Sequence, residues 1–388
     1  MPNVLVQDAS LRGIADAIRE KNKSSLTYKP ADMAAAINSL PTGGSTGPKL
    51  GPIKGDEGKD FFNGLGANNV RVKDYLSKVL FTDSLIDPEL GLTNMERMFY
   101  NTTFTEIPIT IYYAQKGFTA MSMFSGSKVK KAPLFRPARS IDPNNPGIFR
   151  NLWKLFYSTE LEEIPEDWLD WDEWRNWKTE NPNADFLMYQ MFSRCYYLKS
   201  IPQAFLDLFD LAWPFGYDLV FESCERLNKI ENMGYKVRKE SSVTGPKDIV
   251  KYCMSLSKFT FKNNGPTAWD TSNLDLSYCG WGGHGNSLDY WNRGFTRETE
   301  VTDDATYQAL KNTDYWTTNK LYSRYNHTSM VETINSLPEI IKIGSESPVN
   351  TIKFRATQGD STDEGGASNL TEEEIAVASA KGWTVSII

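Results

Sequence analysis

The sequence predicts an elongated α/β repeat array. Three observations point to it: a recurring apolar block, a length that exceeds one compact core, and a surplus of large aromatic side chains. The block runs apolar doublet, small residue, apolar residue, apolar residue. Three copies superimpose without gaps and start 29 residues apart: MFSRCYYLKSI from Met191, VFESCERLNKI from Val220 and IVKYCMSLSKF from Ile249. Three earlier copies are one residue shorter in the middle: MFYNTTFTEIP from Met98, MFSGSKVKKAP from Met123 and LFYSTELEEIP from Leu155.

Within a block, positions 1, 2 and 5 share one face of a short helical turn, and the later apolar pair suits a short strand. The fifth position is Thr102, Ser127, Thr159, Cys195, Cys224 and Cys253 in turn, so a small side chain recurs where one block must approach the next. The final apolar position is Ile107, Ala132, Ile164, Ile201, Ile230 or Phe259, and a proline follows it in four copies. Proline stops the strand from continuing. Neighbouring blocks then cover each other's open edges and apolar faces. Block starts are spaced 25, 32, 36, 29 and 29 residues, so loops of unequal size protrude.

Single cores stop growing near roughly 250 to 300 residues, and this chain has 388. Aromatic residues make up 13%, with 11 Trp and 18 Tyr, which suits a recognition surface or a thin core filled by large side chains. The formal charge is -7 with no basic block interleaved with aromatics, which argues against DNA or RNA as a partner. No window approaches 18 uninterrupted apolar residues, and no basic segment with an apolar stretch opens the chain. The expectation is a protein made and kept in the cytosol until lysis, without membrane insertion. Cys195, Cys224, Cys253 and Cys279 form no C-x-x-C pair, and His284 and His327 are the only histidines. No metal site, redox motif, Ser/His/Asp triad or cofactor is expected. The cysteines read instead as small apolar residues stacked in successive blocks.

Four regions follow from these patterns. Residues 1–40 read as a helical module with apolar stripes at Leu11, Ile14 and Ile18 and at Met33 and Ile37, too small to fold well without a protein partner. Residues 41–68 are Gly/Pro-rich linker, 69–290 the repeat array with loop insertions, and 291–388 degenerate terminal repeats and a cap. In the last region Ser329 to Leu337 reads as helix and Asn350 to Arg355 as strand. Thr371 with Glu374 forms a capping box, Gly382 ends that helix, and Trp383 to Ile388 reads as a strand.

Two aromatic clusters are candidate binding sites. In EDWLDWDEWRNW, Trp168, Trp171, Trp174 and Trp177 recur every three residues among carboxylates that include Asp170. Indole faces stack on sugar rings and carboxylates accept hydroxyl hydrogen bonds, so a glycan site is chemically sensible. The alternative is a helical excursion whose indoles pack onto the repeat body. A three-residue period slips around a helix, so the four cannot be equally buried. The second cluster, GWGGHGNSLDYWNRGF, supplies Trp281, Tyr290 and Trp291, either for a ligand or as a loop covering the end of the array.

Blocks of the form M-F-x-x-C-x-x-L-x-x-I-P resemble the BspA-like leucine-rich repeats of bacterial surface proteins. Trp269 to Cys279, WDTSNLDLSYC, is similar to the D-T-S-N-V segment of related Mycoplasma-type repeats. The resemblance covers about residues 92 to 285 and implies an irregular leucine-rich-repeat solenoid. SLRGIADAIREKNKSSLTYKPADMAAAI resembles the N-terminal module of tail, baseplate and fibre proteins of phages infecting Gram-positive hosts. The segments from SMVETINSLP to the final WTVSII resemble their C-terminal ending. These resemblances imply a non-enzymatic virion protein that joins other virion proteins through residues 1–40 and presents its repeats to a host-surface glycan or protein. They also imply a homo-oligomer, with trimers common among fibre-like proteins of this kind. A head fibre or capsid decoration protein and a virion-associated cell-wall glycan hydrolase are the alternatives.

Overall fold

The computed structural model describes residues 52–64, 85–142, 149–182, 184–210, 218–237, 239, 244–280, 325–344, 347–356 and 369–388. The stripes at Leu11, Ile14, Ile18, Met33 and Ile37 lie outside the described residues, as do Trp281, Tyr290 and Trp291.

Short strands and helices mix along the chain. The strands are β1 Ile111–Tyr113, β2 Phe118–Thr119, β3 Phe135–Pro137, β4 Phe149–Asn151, β5 Asp185–Leu187, β6 Lys229–Met233, β7 Lys258–Phe261, β8 Thr271–Asp275, β9 Val349–Phe354 and β10 Trp383–Ile387. The helices are α1 Trp171–Glu180, α2 Gln203–Asp207, α3 His327–Ser336 and α4 Glu372–Ala380. Every strand pair among the described residues is parallel: β1 with β3, β2 with β4 and β4 with β5, β6 with β7, and β8 with β9 and β9 with β10. Parallel pairing means that the chain returns to the same side before each new strand. None of these sheets closes into a barrel.

Successive blocks are joined by one bonding pattern. Counting the apolar doublet as positions 1 and 2, the N–H groups at positions 0, 2 and 4 donate to the carbonyls at positions −1, 1 and 3 of the next block. Lys154, Phe156 and Ser158 thus donate to Tyr189, Met191 and Ser193 at 3.0, 2.9 and 2.9 Å, and Gln190, Phe192 and Arg194 to Asp218, Val220 and Glu222 at 3.1, 2.9 and 2.7 Å. The same set recurs from Arg97 to Met121, from Ser122 to Trp153 and from Leu219 to Lys247. Because the pattern satisfies backbone groups that the interior would otherwise strand, blocks can stack without a continuous sheet.

The position-2 side chains form a column of rings. Phe62, Phe99, Phe124, Phe156, Phe192 and Phe221 lie in near-parallel pairs with centroids 5.0, 5.2, 5.0, 5.6 and 5.8 Å apart. All six are buried. Burying one such ring contributes about 1.5–3 kcal/mol, and each stacked pair adds about 0.5–1.5 kcal/mol.

At the fifth position the small side chain is buried, Thr or Ser in the earlier blocks and Cys in the later ones, and the Thr and Cys side chains there donate hydrogen bonds. Thr102 and Thr159 hydroxyls donate to the position-2 carbonyl of their own block, at 3.0 Å to Phe99 and 2.9 Å to Phe156. The cysteines reach back one block: Cys195 to the Phe156 carbonyl, Cys224 to Phe192, Cys253 to Phe221 and Cys279 to Val250, at 3.0 to 3.2 Å. All four are buried and none is in a disulfide. Burial pushes the Cys195 thiol up to about 12 and raises the other three as well, so all stay protonated at neutral pH.

Two expectations are corrected. The doublet does not begin a helical turn. Overlapping i→i+3 turns carry it, such as Met98 N–H to Met95 O and Thr102 N–H to Phe99 O. The third residue of such a turn is left-handed, with φ of 54° at Arg97, 51° at Asn101, 56° at Lys154 and 63° at Arg194. That is the geometry of a type II turn, which prefers glycine at this place. The linker assignment of 41–68 also fails in part, because Asp60, Phe62 and Gly64 donate to Glu96, Met98 and Tyr100 and so form a further block. Phe62 begins the ring column.

Near the C-terminus, α3, β9, α4 and β10 fall where the sequence puts them. The Thr371–Glu374 capping box is present, and Gly382 takes φ 84°. Trp383 is buried, and its Nε1 donates to the Pro338 carbonyl at 2.9 Å.

Candidate functional site

The acidic tryptophan segment folds as α1 plus the turn before it. Asp170 caps the helix by accepting from the Glu173 N–H at 3.1 Å. Trp168, Trp174 and Trp177 are buried and Trp171 is half-buried. These three buried indoles belong to the packing of the repeat body, which corrects their assignment to an exposed glycan site. Trp171 is held too, its Nε1 donating to the Glu166 carbonyl at 2.7 Å.

What α1 packs against is a buried cation. Arg150, on β4, is fully buried, and its guanidinium lies 4.3 Å from the Trp177 ring centroid, 4.5 Å from Trp174 and 5.3 Å from Tyr113. Its Nη1 donates to Glu173 Oε2 at 2.9 Å, Nη2 pairs with Glu173 Oε1, and Nη2 also donates to the Gln115 carbonyl at 3.1 Å. The Tyr113 hydroxyl donates to Glu173 Oε2 at 2.8 Å and accepts from Trp174 Nε1 at 2.9 Å. Burial raises the Tyr113 hydroxyl well above its ordinary range. Both Glu173 oxygens are occupied, so this network fastens the insertion and offers no free base.

A cleft of about 460 Å³ crosses the proline ends of three blocks, lined by Ile107, Ile109, Leu134 and Pro165 with Lys131 and Asp167 among its polar groups. Lys131 is paired with Glu163 at 2.7 Å. The cleft is apolar without converging donors.

The outward side of the turns has more chemistry. Block register sets positions −1 and 3 in columns, and position −1 reads Trp153, Tyr189, Asp218 and Lys247 across four successive blocks. Trp153 is 39% exposed, the largest aromatic side chain so placed among the described residues. Its ring meets Tyr189 edge to face at 5.8 Å. Position 3 supplies Tyr157 and Glu222 alongside, with the buried Ser193 hydroxyl donating to Glu222 Oε2 at 2.7 Å. Lys154 lies 5.9 Å from the Trp153 centroid and 5.1 Å from Tyr157, and Arg194 lies 5.5 Å from Tyr157.

Asp218 accepts from the Lys247 N–H at 2.9 Å, and burial pushes its carboxyl up to about 6. Burial and the nearby Asp218 and Glu222 charges raise the Tyr189 hydroxyl. None of these residues stands out in the sequence, since Trp153 and Tyr189 each look like isolated aromatics. The signal was available in the block alignment, where both fall two residues before an apolar doublet.

Among the described residues no group of three or more His, Cys, Asp and Glu side chains could hold a metal ion. No helix among them is long and apolar enough to cross a membrane. Comparison with protein-family models, curated proteins and solved structures finds no match to this chain.

Proposed function

We propose that this chain is a non-enzymatic phage virion component, an irregular leucine-rich-repeat solenoid that presents a repeated outer surface for attachment to a bacterial host. The observation that carries the solenoid part is the recurring junction, three backbone hydrogen bonds from block to block from Asp60 to Ser223, accompanied by a stacked phenylalanine pair at each junction up to Phe221. A strictly repeated junction propagates side chains into straight outward columns, which gives a long binding face without a deep pocket. The virion part rests on the resemblance of both chain ends to phage tail, baseplate and fibre proteins. Residues 1–40 then join the particle, and the repeats face outward.

Particles purified from a lysate of the producing strain test this. Antibody raised against the repeats is expected to label intact particles at the tail, baseplate or fibres under the electron microscope. Absence of the protein from washed particles would remove the virion assignment, and labelling confined to the head would move it to the head-fibre alternative.

A further inference from the structure

We propose that the outward column led by Trp153 and Tyr189, with Asp218 and Glu222 beside it, is a saccharide-binding platform that takes a chain of pyranose rings along the block axis. The proposal rests on the attachment reading above and names the ligand class for it.

Three observations point to a sugar. The first is exposure, since Trp153 leaves 39% of its surface in water on a body whose other large described rings are mostly buried. Apolar faces of pyranose rings stack on such an indole, and Trp153 with its neighbour Tyr189 supplies an aromatic surface for that contact.

The second is what surrounds the rings. Beside Trp153 and Tyr189 stand the Asp218 and Glu222 carboxylates and the Lys154 ammonium, with the buried Ser193 hydroxyl orienting Glu222 from behind. This mixture of acceptors and donors suits the hydroxyl groups that rim a sugar ring. The core of a protein interface is depleted of charged side chains, whereas this column runs from Trp153 and Tyr189 straight into Asp218 and Lys247.

The third is spacing. The Trp153 and Tyr189 rings, on consecutive blocks, have centroids 5.8 Å apart, and the buried phenylalanine column repeats at 5.0 to 5.8 Å. That interval is comparable to the length of one pyranose in a linear polysaccharide. Trp153, Tyr189 and Asp218 on consecutive blocks therefore meet consecutive sugars, with stacking on the Trp153 face and hydrogen bonding at the Tyr189 hydroxyl and the Asp218 carboxylate, since the Tyr189 ring stands nearly perpendicular to Trp153.

The test uses the full chain on an array of muropeptides and of neutral and acidic cell-wall polysaccharides from Gram-positive bacteria, with affinities then measured by calorimetry on the best-bound saccharide. Trp153→Ala is expected to weaken binding about tenfold to a hundredfold, by analogy with loss of a stacked aromatic contact. Trp153→Phe should recover most of it. Trp153→Leu keeps apolar contact while removing the ring face, and should show the same loss even if the alanine variant proves less stable. Undiminished binding by Trp153→Leu overturns the platform and leaves attachment to another surface of the protein. A wild-type chain that binds no saccharide on the array also overturns it. Adsorption of the same chain to intact Gram-positive cells then shows whether attachment itself survives.

Discussion

Phe156→Ala is expected to lower the free energy of unfolding by about 3–5 kcal/mol, in the range of the largest core truncations. Phe156 is fully buried and stacks on Phe124 at 5.0 Å and on Phe192 at 5.6 Å, with Trp168 at 5.8 Å against its side. Truncation removes the ring and leaves a cavity between two blocks whose spacing the backbone bonds fix, so neighbours cannot close it. Phe149→Ala is the control, since that ring is 38% exposed and should cost no more than about 0.5 kcal/mol. Chemical denaturation of the two variants provides the comparison. Equal midpoints for both would mean that the ring column does not hold the blocks together.

The second large effect concerns the fastening of α1. Glu173→Gln leaves the Arg150 guanidinium uncompensated among Tyr113, Trp174 and Trp177, which should cost about 3 kcal/mol, the lower end of the range for breaking a buried pair. The lower end applies because Arg150 is 0% exposed while Glu173 is 22% exposed, so water screens part of the pair. Adding Arg150→Met to Glu173→Gln removes the stranded charge and fills the aromatic cage with an apolar side chain. The double variant is therefore expected to be more stable than Glu173→Gln alone. If it is less stable, Arg150 contributes through its aromatic stacking and the Gln115 carbonyl more than through its carboxylate.

Block register was legible in the sequence because the inward positions tolerate few side chains. Met-Phe doublets and a small fifth residue are what a buried ring column and a close approach require. The local backbone was not legible. Left-handed φ at Arg97, Lys154, Gln190 and Leu219 costs each residue roughly 1–2 kcal/mol that a glycine would be spared, and inter-block hydrogen bonding overrides that preference. A period-based reading therefore put a helical turn where type II-like turns stand. Phe62 was missed because Gly55, Gly58 and Gly64 give its surroundings the composition of a linker, while its partners Phe99 and Met98 are distant in sequence.

The candidate site shows the same division. Four tryptophans three residues apart drew attention by composition, yet Trp168, Trp174 and Trp177 close around Phe156, Phe186 and Arg150. Trp153 and Tyr189 are 36 residues apart and become neighbours only when the blocks are stacked. Clusters in sequence reported packing here, and columns across blocks reported surface. At the C-terminus the helices and strand were readable because their signals are local, as in the Thr371 cap and Gly382.

Residue-resolved hydrogen exchange in the native protein tests the repeated junction most directly. The Phe99, Phe124, Phe156, Phe192 and Phe221 amides each donate to the next block at 2.7 to 2.9 Å. They are predicted to exchange slowly and together, at the rate of the unfolding that separates blocks. Fast exchange at Phe124, Phe156 or Phe192, flanked by slow amides on either side, would contradict a continuous stack of blocks.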